Sequence, residues 1–461
     1  MMLGFIAGLS TSASMLLIVC LLAVCIFEAI NGFHDTANAV ATVIYTNSLK
    51  PTTAVIWSGF CNFLGVLLGG IAVAMGIVNL LPVELLIDQN VYHSIAMVLA
   101  LLLSAIVWNF GTWYFGLPSS SSHTLIGSIL GVGLAFSVMP EASEGAGVNW
   151  SKAGEIFGSL LLSPLVGFSL AVFLMFLLRR LLNKEAREQV FSEPKKNQVP
   201  PLWIRVILII TCTGVSFFHG NNDGQKGVGL VMLILIGVVP AYFALNEKIE
   251  PQSMKANIVA IEQTMNKIDT TLLGIEEKRQ LAKVKGSTQD LTRLIALPTT
   301  DGKVSQDERL DARRDVLVIN SNLKKLMDSE SVNLSAADEK ILKESTDDKK
   351  GLRRFTDYAP FWVVLMISLS LGLGTMVGWK RIVVTVREKI GKTHLTYAQG
   401  ASAELVAAST IGLASGFGLP VSTTHMLSSG IAGTMVASKG IKNLQAKTIR
   451  NILMAWILTL P

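Results

Sequence analysis

The sequence predicts an all-α integral membrane protein of two inverted repeats with broken helices and re-entrant hairpins, plus an inserted helical soluble domain. Three observations predict this fold: two polar phrases that each occur twice, long apolar stretches between them, and one block that holds most of the charge. Hydrophobic residues make up 51% of the 461 residues, and 40 of the 72 charged residues fall between 246 and 357. The rest of the chain is apolar enough to lie in a bilayer.

The two phrases indicate an internal duplication. Gly-Leu-Pro-Ser-Ser-Ser-Ser-His at 116–123 returns as Gly-Leu-Pro-Val-Ser-Thr-Thr-His at 418–425. Asn-Gly-Phe-His-Asp-Thr-Ala-Asn-Ala at 31–39 pairs with His-Gly-Asn-Asn-Asp-Gly-Gln-Lys-Gly at 219–227. The second half is 114 residues longer between its phrases, which matches the size of the charged block. Duplicated polar phrases in apolar sequence are typical of transporters built from repeats.

Composition divides the chain into five segments. We expect membrane repeat 1 at 1–178, a basic cytoplasmic linker at 179–205, the first part of membrane repeat 2 at 206–245, the charged helical insert at 246–357 and the rest of repeat 2 at 358–461. Apolar stretches of about 20 residues recur, which is enough to cross a bilayer. Shorter ones are typical of half-helices and re-entrant hairpins. The last stretch has only ten residues, 452–461, which indicates a missing or unusual natural C-terminus.

The charged loops predict the orientation of a multi-pass protein. Loops 179–205 and 380–392 are basic and are expected inside, whereas loop 84–88 is acidic and is expected outside. One crossing near 361–379 then places the insert on the outer face. The basic loop 439–450 does not fit this scheme. No Lys or Arg precedes Lys50, so the first apolar stretch is predicted to be a retained membrane element and not a signal peptide.

The insert is predicted to be helical and without chemistry of its own. Apolar residues recur in it at helical spacings of three and four, at Ile258, Ile261, Met265, Ile268 and Leu272, and a further helix is expected near 310–327. This pattern favours a helical cap or assembly module over a ligand-binding domain. The net charge of +6 arises from loops beside apolar stretches, so no nucleic-acid partner is expected. The four cysteines lack ligand-like spacing and are expected to be inert thiols.

Five charged residues are predicted to lie at membrane depth: Glu28, Asp35, Asp223, Lys226 and Glu404. A charge there costs about 3 kcal/mol on insertion scales, so each is a candidate functional residue. Carboxylate, amide and hydroxyl oxygens around the two aspartates, with carbonyls freed by unwound helix, suit Na⁺, protons or divalent metals. For the two glutamates, an internal ion pair or a helix cap is an equal alternative.

The Gly-Leu-Pro phrase predicts an anion site. Leu-Pro ends one element, and the Ser/Thr run caps the helix that follows. Backbone N–H groups, hydroxyls and the positive end of the helix dipole then converge on a point that binds an oxyanion without Arg. Two such helix starts predict one central anion site flanked by cation sites. His123 and His425 either donate to the anion or bond a backbone carbonyl.

Together these phrases resemble the signatures of the inorganic phosphate transporter (PiT) family, and 28–42 and 219–230 are most similar to its bacterial low-affinity branch. The resemblance covers nearly all of the chain outside the insert. It implies a secondary transporter of the bacterial inner membrane that imports inorganic phosphate by cation symport; the proton is expected as the cation because of Lys226. It also implies that divalent metal can travel with phosphate as a neutral complex. No enzyme activity and no cofactor are expected.

The resemblance also implies roles for residues of the two repeats. It places in the substrate-binding set Ser120, Ser121, Ser122, Ser422, Thr423, Thr424 and Asn38, and the polar residues around Asp223 add Asn222 and Lys226 to this set. The cation-coupling set is Asp35, Asp223 and Glu404. Lys226 stands where the first repeat has Asn38. We hypothesise that its ammonium replaces one coupling cation or pairs with Asp223, which lessens the need for Na⁺; pairing with phosphate is the alternative.

Other classes of protein fit the sequence less well. An intramembrane hydrolase would use Ser122 or Ser422 with the adjacent His, but neighbouring residues on a helix point about 100° apart. A sulfate permease of the same fold and a membrane phosphate sensor or receptor stay open as alternatives. The expected partners are inorganic phosphate, protons or Na⁺, and membrane lipid, and a homodimer is also open.

Overall fold

The computed structural model describes residues 9–78, 80, 91–115, 119–139, 148, 150–195, 198–246, 248–296, 308–329, 331–377 and 394–459. Across these residues the chain is α-helical and contains no strand. The predicted loops 84–88 and 380–392, and the Gly-Leu-Pro of the first phrase at 116–118, lie outside the described residues.

The helices before the charged insert are mostly long and apolar. They are α1 (Thr11–Tyr45), α2 (Pro51–Leu68), α3 (Ala72–Val78), α4 (Val91–Tyr114), α5 (Ser121–Ser137), α6 (Trp150–Leu181), α7 (Lys184–Val190), α8 (Leu202–His219), a π-helical turn (Gly220–Gly224), α9 (Gln225–Val238) and α10 (Pro240–Phe243). The π turn joins α8 directly to α9, so the chain stays helical from Leu202 to Val238.

The helices from the insert onward are shorter. They are α11 (Lys255–Met265), α12 (Ile275–Ala296), α13 (Glu308–Met327), α14 (Ala336–Thr346), α15 (Phe361–Thr375), α16 (Tyr397–Gly416), α17 (Thr423–Lys439) and α18 (Ala446–Thr459). Single 3₁₀ turns occur at Pro251–Met254, Leu352–Phe355 and Ile441–Asn443.

Five helical segments of the described chain are long and apolar enough to cross a membrane. They are Thr11–Tyr45, Pro51–Leu68, Ile95–Tyr114, Ala153–Leu181 and Leu202–Val238. The apolar helices α5 and α15 have only 17 and 15 residues, or about 25 and 22 Å at 1.5 Å per residue. The all-α membrane architecture predicted from the sequence is therefore confirmed.

The chain forms two compact units, each with its own interior. One contains Leu233–Ala359 together with the described residues of 1–14 and 86–91. Its apolar core joins α11, α12, α13 and α14 through residues such as Ile261, Leu291 and Ile319. The other unit contains 15–85, 92–232 and 360–461 as far as these are described, and it holds both doubled phrases.

Most of the predicted apolar stripe of the insert is buried. Ile258, Ile261, Met265 and Ile268 lie in the core of the first unit, but the prediction for Leu272 is wrong because its side chain is 65% exposed. Helix α11 ends at Met265, so the helical period no longer applies, and the neighbouring Leu273 is buried instead.

Glycines allow three helices of the second unit to approach closely. A Cβ at Gly32 of α1 would overlap the backbone of α15 at Leu371 and Thr375, and one at Gly374 would overlap the backbone of α1 at Ala29. A Cβ at Gly220 would overlap the backbone of α2 in the same way. Gly32 and Gly220 are the glycines that the doubled phrase repeats, so both copies use this residue to admit a neighbouring backbone.

Candidate functional site

Asp35 and Asp223 are buried on different kinds of helix. Helix α1 runs through Asp35 without interruption, so the unwound backbone expected at 31–39 is not present. The side chain of Thr36 bonds the carbonyls of Gly32 and, at 2.8 Å, of Thr375, which ties this part of α1 to α15. Asp223 lies in the π turn, where Gly220 and Gly224 flank three polar residues. A π turn is a common local irregularity at functional sites.

The Ser/Thr runs cap the helices that follow them, as the sequence predicts. Ser120 is the N-cap of α5 and accepts a hydrogen bond from the backbone N–H of His123 at 3.2 Å. Ser422 is the N-cap of α17 and accepts from the N–H of His425 at 3.1 Å. The next two hydroxyl residues of each run then lie on the first turn of a helix, at its positive end.

These hydroxyls point at the first aspartate. Ser121 Oγ donates to Asp35 Oδ2 at 2.9 Å, and Thr424 Oγ1 donates to Asp35 Oδ1 at 2.5 Å. Asn38, one turn along α1, donates to Asp35 Oδ1 at 3.0 Å and to Thr424 Oγ1 at 3.0 Å. Asp35 thus connects three helices, α1, α5 and α17.

The second aspartate has a matching set of partners with one difference. Thr423 Oγ1 lies 3.5 Å from Asp223 Oδ2, as Ser121 lies beside Asp35. In place of the amide of Asn38, the ammonium of Lys226 contacts Asp223 Oδ1 at 2.6 Å. That ammonium also donates to Ser122 Oγ at 2.5 Å and to the carbonyl of Val421 at 3.2 Å. Its three partners are a carboxylate, a hydroxyl and a carbonyl oxygen.

His219 lies between the two aspartates and is absent from the residues selected by sequence. Its Nε2 is 3.6 Å from Asp35 Oδ2 and 3.4 Å from Asp223 Oδ2. Its Nδ1 bonds Asn62 Oδ1 at 2.8 Å, and the amide nitrogen of Asn62 donates to Thr375 Oγ1 at 3.0 Å. Asn62 Oδ1 must therefore accept, so Nδ1 carries a hydrogen, and in the neutral ring Nε2 would present a lone pair to two carboxylates.

A lone pair facing two carboxylate oxygens is repulsive unless a cation lies among them. The three groups Asp35, His219 and Asp223 each place one ligand atom within 4.8 Å of the others, and all three are buried. His219 Nε2 has no hydrogen-bond partner. Either a proton on Nε2 or a metal ion satisfies this arrangement, and bonding of the other ring nitrogen to a polar side chain is the usual support of a histidine ligand.

The structure does not bring every predicted residue into this cluster. The amide of Asn222 donates to Ser415 Oγ at 2.9 Å and to the carbonyl of Leu419 at 3.1 Å, and its oxygen accepts from the N–H of Val421 at 3.2 Å. Asn222 therefore braces the segment that leads into α17. Glu404 of α16 lies outside the cluster as well, where it accepts from Thr211 Oγ1 at 2.6 Å and from Thr42 of α1.

The two histidines of the Gly-Leu-Pro phrases meet behind the hydroxyl runs. The ring centroids of His123 and His425 are 4.3 Å apart, and the ring of His425 stacks on Trp456 at 3.9 Å. His123 Nδ1 bonds Ser120 Oγ at 2.9 Å. The contact observed for His123 is therefore with a side-chain hydroxyl and not with the backbone carbonyl that was one of its two expected partners.

Comparison with known proteins identifies the family. The model of the phosphate transporter family matches residues 31–461. The chain belongs to this family. The low-affinity inorganic phosphate transporters PitA and PitB of Escherichia coli are 45% and 42% identical to it, each over 100% of this chain and 97% of the relative. A probable low-affinity inorganic phosphate transporter of Bacillus subtilis is 27% identical over 97% of this chain and 93% of its own.

A solved structure supports the fold. The sodium-dependent phosphate transporter matches with a TM-score of 0.54 at 20% identity, over 97% of this chain and 96% of that one. The family membership confirms the resemblance to phosphate transporters stated from the sequence, and with it the expectation that this membrane protein is a transporter and not an enzyme.

Proposed function

We propose that this protein imports inorganic phosphate across the bacterial inner membrane by symport with a cation, preferentially the proton. The observation that carries the proposal is the convergence of two capped helix starts, two carboxylates and one ammonium at a single buried place. Backbone N–H groups and hydroxyls at helix starts bind oxyanions. The hydroxyls of the two runs now donate to Asp35, Asp223 and the carbonyl of Val421. When phosphate binds, they donate to its oxygens instead.

The two aspartates favour phosphate over sulfate. Asp35 and Asp223 now accept from the hydroxyls of Ser121 and Thr423. Dihydrogen phosphate has two O–H groups, which can donate to the same two carboxylates in place of these hydroxyls. Sulfate has no O–H group, so if it displaced these two hydroxyls, one oxygen of each buried carboxylate would lose its donor and gain none in return. Leaving a buried polar group unpaired is a strong source of discrimination.

The charge of the site explains why a cation must travel with phosphate. Asp35 and Asp223 contribute −2 and Lys226 contributes +1, so the sum is −1 with neutral His219 and 0 with a proton on its Nε2. Dihydrogen phosphate makes either sum more negative by one. Each uncompensated charge at this depth costs several kcal/mol. Binding of phosphate and of positive charge therefore stabilise each other, which is the thermodynamic requirement for symport.

Lys226 supports a reduced need for Na⁺. Its ammonium has the oxygen partners that a Na⁺ ion would take: a carboxylate, a hydroxyl and a carbonyl. The corresponding position in the first repeat has the amide of Asn38, whose oxygen is buried without a partner. One of two related cation positions is thus filled by a tethered charge.

Divalent metal is proposed as a second cargo, carried with phosphate as a neutral complex. Asp35, His219 and Asp223 supply two carboxylate oxygens and an imidazole nitrogen, a donor set suited to divalent metals. A metal ion there would neutralise both carboxylates and lie beside the hydroxyls that hold phosphate.

The paired contacts support an inverted-repeat arrangement in which segments 1–178 and 206–245 with 358–461 form the two repeats. Asp35 and Asp223 have related partners, Ser121 and Thr423. The last hydroxyl of each run contacts the opposite repeat: Ser122 bonds Lys226, and Thr424 bonds Asn38. Each proposed phosphate-binding run is therefore in contact with the cation position of the other repeat.

The test is uptake of radiolabelled phosphate into proteoliposomes under an imposed proton gradient or an imposed Na⁺ gradient, with Asp35→Asn as the control. We expect uptake driven by protons and abolished in the variant. Uptake that needs Na⁺ contradicts the proton preference. Competition by sulfate contradicts phosphate selectivity, and no uptake under either gradient contradicts transport. Chelation of external divalent metal lowers uptake if the neutral complex is a cargo.

A further inference from the structure

A continuous stripe of buried polar side chains runs along one face of α1. Its members follow one another at intervals of three, four, three and four residues, the spacing of one helix face, and are Glu28, Asn31, Asp35, Asn38 and Thr42. Each is at most 5% exposed. Fourteen residues of helix extend about 21 Å, so this stripe covers roughly two thirds of a 30 Å hydrocarbon layer. We call it the α1 stripe.

The acid at the start of the α1 stripe has no counter-ion in contact with it. Glu28 is fully buried, and Oε2 accepts one long hydrogen bond of 3.4 Å from Asn31. Oε1 has no partner and lies against Gly227, where a Cβ would overlap it. Within the described part of the chain, no cationic group is within ion-pair distance. The charged or titratable groups that face it from further away are Asp223, Lys226 and His219.

A second acid of the same kind lies beyond the other end of the stripe. Thr42 bonds the carboxyl of Glu404, which also accepts from Thr211 at 2.6 Å. The other oxygen of Glu404 is buried without a partner. The titratable group that faces it is the thiol of Cys212. A buried carboxyl with few hydrogen-bond donors and no counter-ion is less costly as the neutral acid, so both groups are suited to bind a proton.

The second repeat has no acid at the position equivalent to Glu28. Its equivalent in the second repeat, seven residues before Asp223, is Ser216, which bonds Ser58 at 2.9 Å and joins two helices. Packing at this position is thus achieved with a small hydroxyl. Gly227, whose equivalent is Ala39, leaves the space that the carboxyl occupies. A carboxyl group has been accommodated here at a cost, and the helix contacts do not require it.

We propose that the α1 stripe is the proton route of coupled transport, with Glu28 and Glu404 as proton carriers on the two sides of the central Asp35. This inference rests on the proposed proton symport and adds its route. Amide and hydroxyl groups between the acids provide hydrogen-bonding partners across the apolar layer. Glu28 is adjacent to the segment that carries Asp223 and Lys226, so a change of its charge alters the field at the cation position directly.

The test separates proton coupling from phosphate binding. Purified wild-type protein and Glu28→Gln are placed in proteoliposomes, and two activities are measured: exchange of labelled for unlabelled phosphate without a gradient, and phosphate-driven proton entry with an internal pH dye. We expect Glu28→Gln to keep exchange and to lose proton entry by about 100-fold, the lower end of what a positioned proton-transfer group contributes. Glu188→Gln, the same change on the exposed face of α7, should match the wild type in both.

Asn31→Leu provides a second variant, since it keeps a side chain of similar size but interrupts the stripe between Glu28 and Asp35. It should slow proton entry and leave exchange intact. Wild-type proton entry in Glu28→Gln would overturn the route. Loss of exchange together with proton entry in a folded Glu28→Gln would assign the residue to the binding site and overturn it too. Absence of exchange in the wild type would instead contradict the proposed function itself.

Discussion

At the scale of single residues, one difference between the two repeats carries the proposed preference for one cation over another. Asn38 and Lys226 occupy equivalent positions beside Asp35 and Asp223 and make equivalent contacts across the repeats. A neutral amide leaves a carboxylate that a mobile cation must compensate, whereas an ammonium compensates it permanently. The pairing of Lys226 with Asp223, one of the two roles hypothesised from the sequence, is the contact present in the structure.

Lys226→Asn should convert the protein to a Na⁺-dependent transporter. The substitution leaves Asp223 as a buried carboxylate without a partner charge, which costs about 3–5 kcal/mol. We expect phosphate uptake without Na⁺ to fall at least about tenfold, and Na⁺ to restore it. The measurement is labelled phosphate uptake against Na⁺ concentration at fixed proton gradient. Lys184→Asn on the exposed start of α7 is the control, and unchanged ion dependence in Lys226→Asn would contradict the idea.

The sequence predicts most of the site but not its centre. The aspartates and the hydroxyl runs are identifiable because each occurs twice in the same order. His219 is overlooked because its equivalent is Asn31, so duplication does not mark it. Its orientation depends on Asn62, which is 157 residues away on α2. A partner that distant in the sequence, and the proton position it sets, cannot be read from either phrase.

At the scale of secondary-structure elements, helix starts are better predicted than helix interruptions. The Ser/Thr runs cap α5 and α17 because capping needs only a local hydroxyl and a backbone N–H. The interruption at 31–39 is predicted wrongly because α1 contains one glycine there and is held by bonds from Thr36 to Gly32 and to Thr375 of α15. The related segment 219–227 has two glycines within five residues, Gly220 and Gly224, and the π turn forms between them.

The close contact between α1 and α15 gives a prediction about stability. A Cβ at Gly374 would overlap backbone atoms of Ala29, which cannot move aside as a flexible side chain can. We expect Gly374→Ala to lower the free energy of unfolding of the membrane unit by about 1–3 kcal/mol, as for overpacking in a core. Thermal unfolding of the purified protein in detergent measures it.

Gly158→Ala on α6 is the matched control for this prediction. A Cβ there meets no atom within 4 Å, so the change should be neutral or should stabilise the helix by up to about 1 kcal/mol. Equal melting temperatures for the two variants would mean that α1 and α15 are not packed backbone to backbone.

At the scale of the whole molecule, the insert and the membrane repeats differ in how their charge is distributed. The insert contains as many acidic as basic residues, so the net charge of +6 belongs to the membrane repeats and their loops. In the described part of the membrane repeats, the buried acids and Lys226 lie at the proposed transport site, on the α1 stripe or, for Glu404, beyond its end. The insert of 246–357 contributes none of the residues proposed to contact phosphate or its cation, which leaves a structural role as its simplest function.

The side of the membrane on which the insert lies can be predicted from the basic linker 179–205 and a single crossing. Helical chain from Leu202 to Val238 is long enough to span the bilayer once, and if it does, the two ends of this segment emerge on opposite faces. If positive charge holds 179–205 in the cytoplasm, the insert is outside. Thr271 of the insert and Ser192 of the linker are both exposed hydroxyl residues outside helices, so cysteine at either position is accessible to a reagent on its own side.

We expect Thr271→Cys to react with a membrane-impermeant maleimide in spheroplasts, and Ser192→Cys to react only in inverted vesicles. The native thiols give little background, because Cys20, Cys61 and Cys212 are buried and Cys25 is half-buried in α1. Reaction of both positions from the same side would mean that the helical chain between them does not cross the membrane. Reaction of Thr271→Cys only in inverted vesicles, with Ser192→Cys reacting in spheroplasts, would invert the orientation, and the loop 439–450 would then have to outweigh the linker as the topological signal.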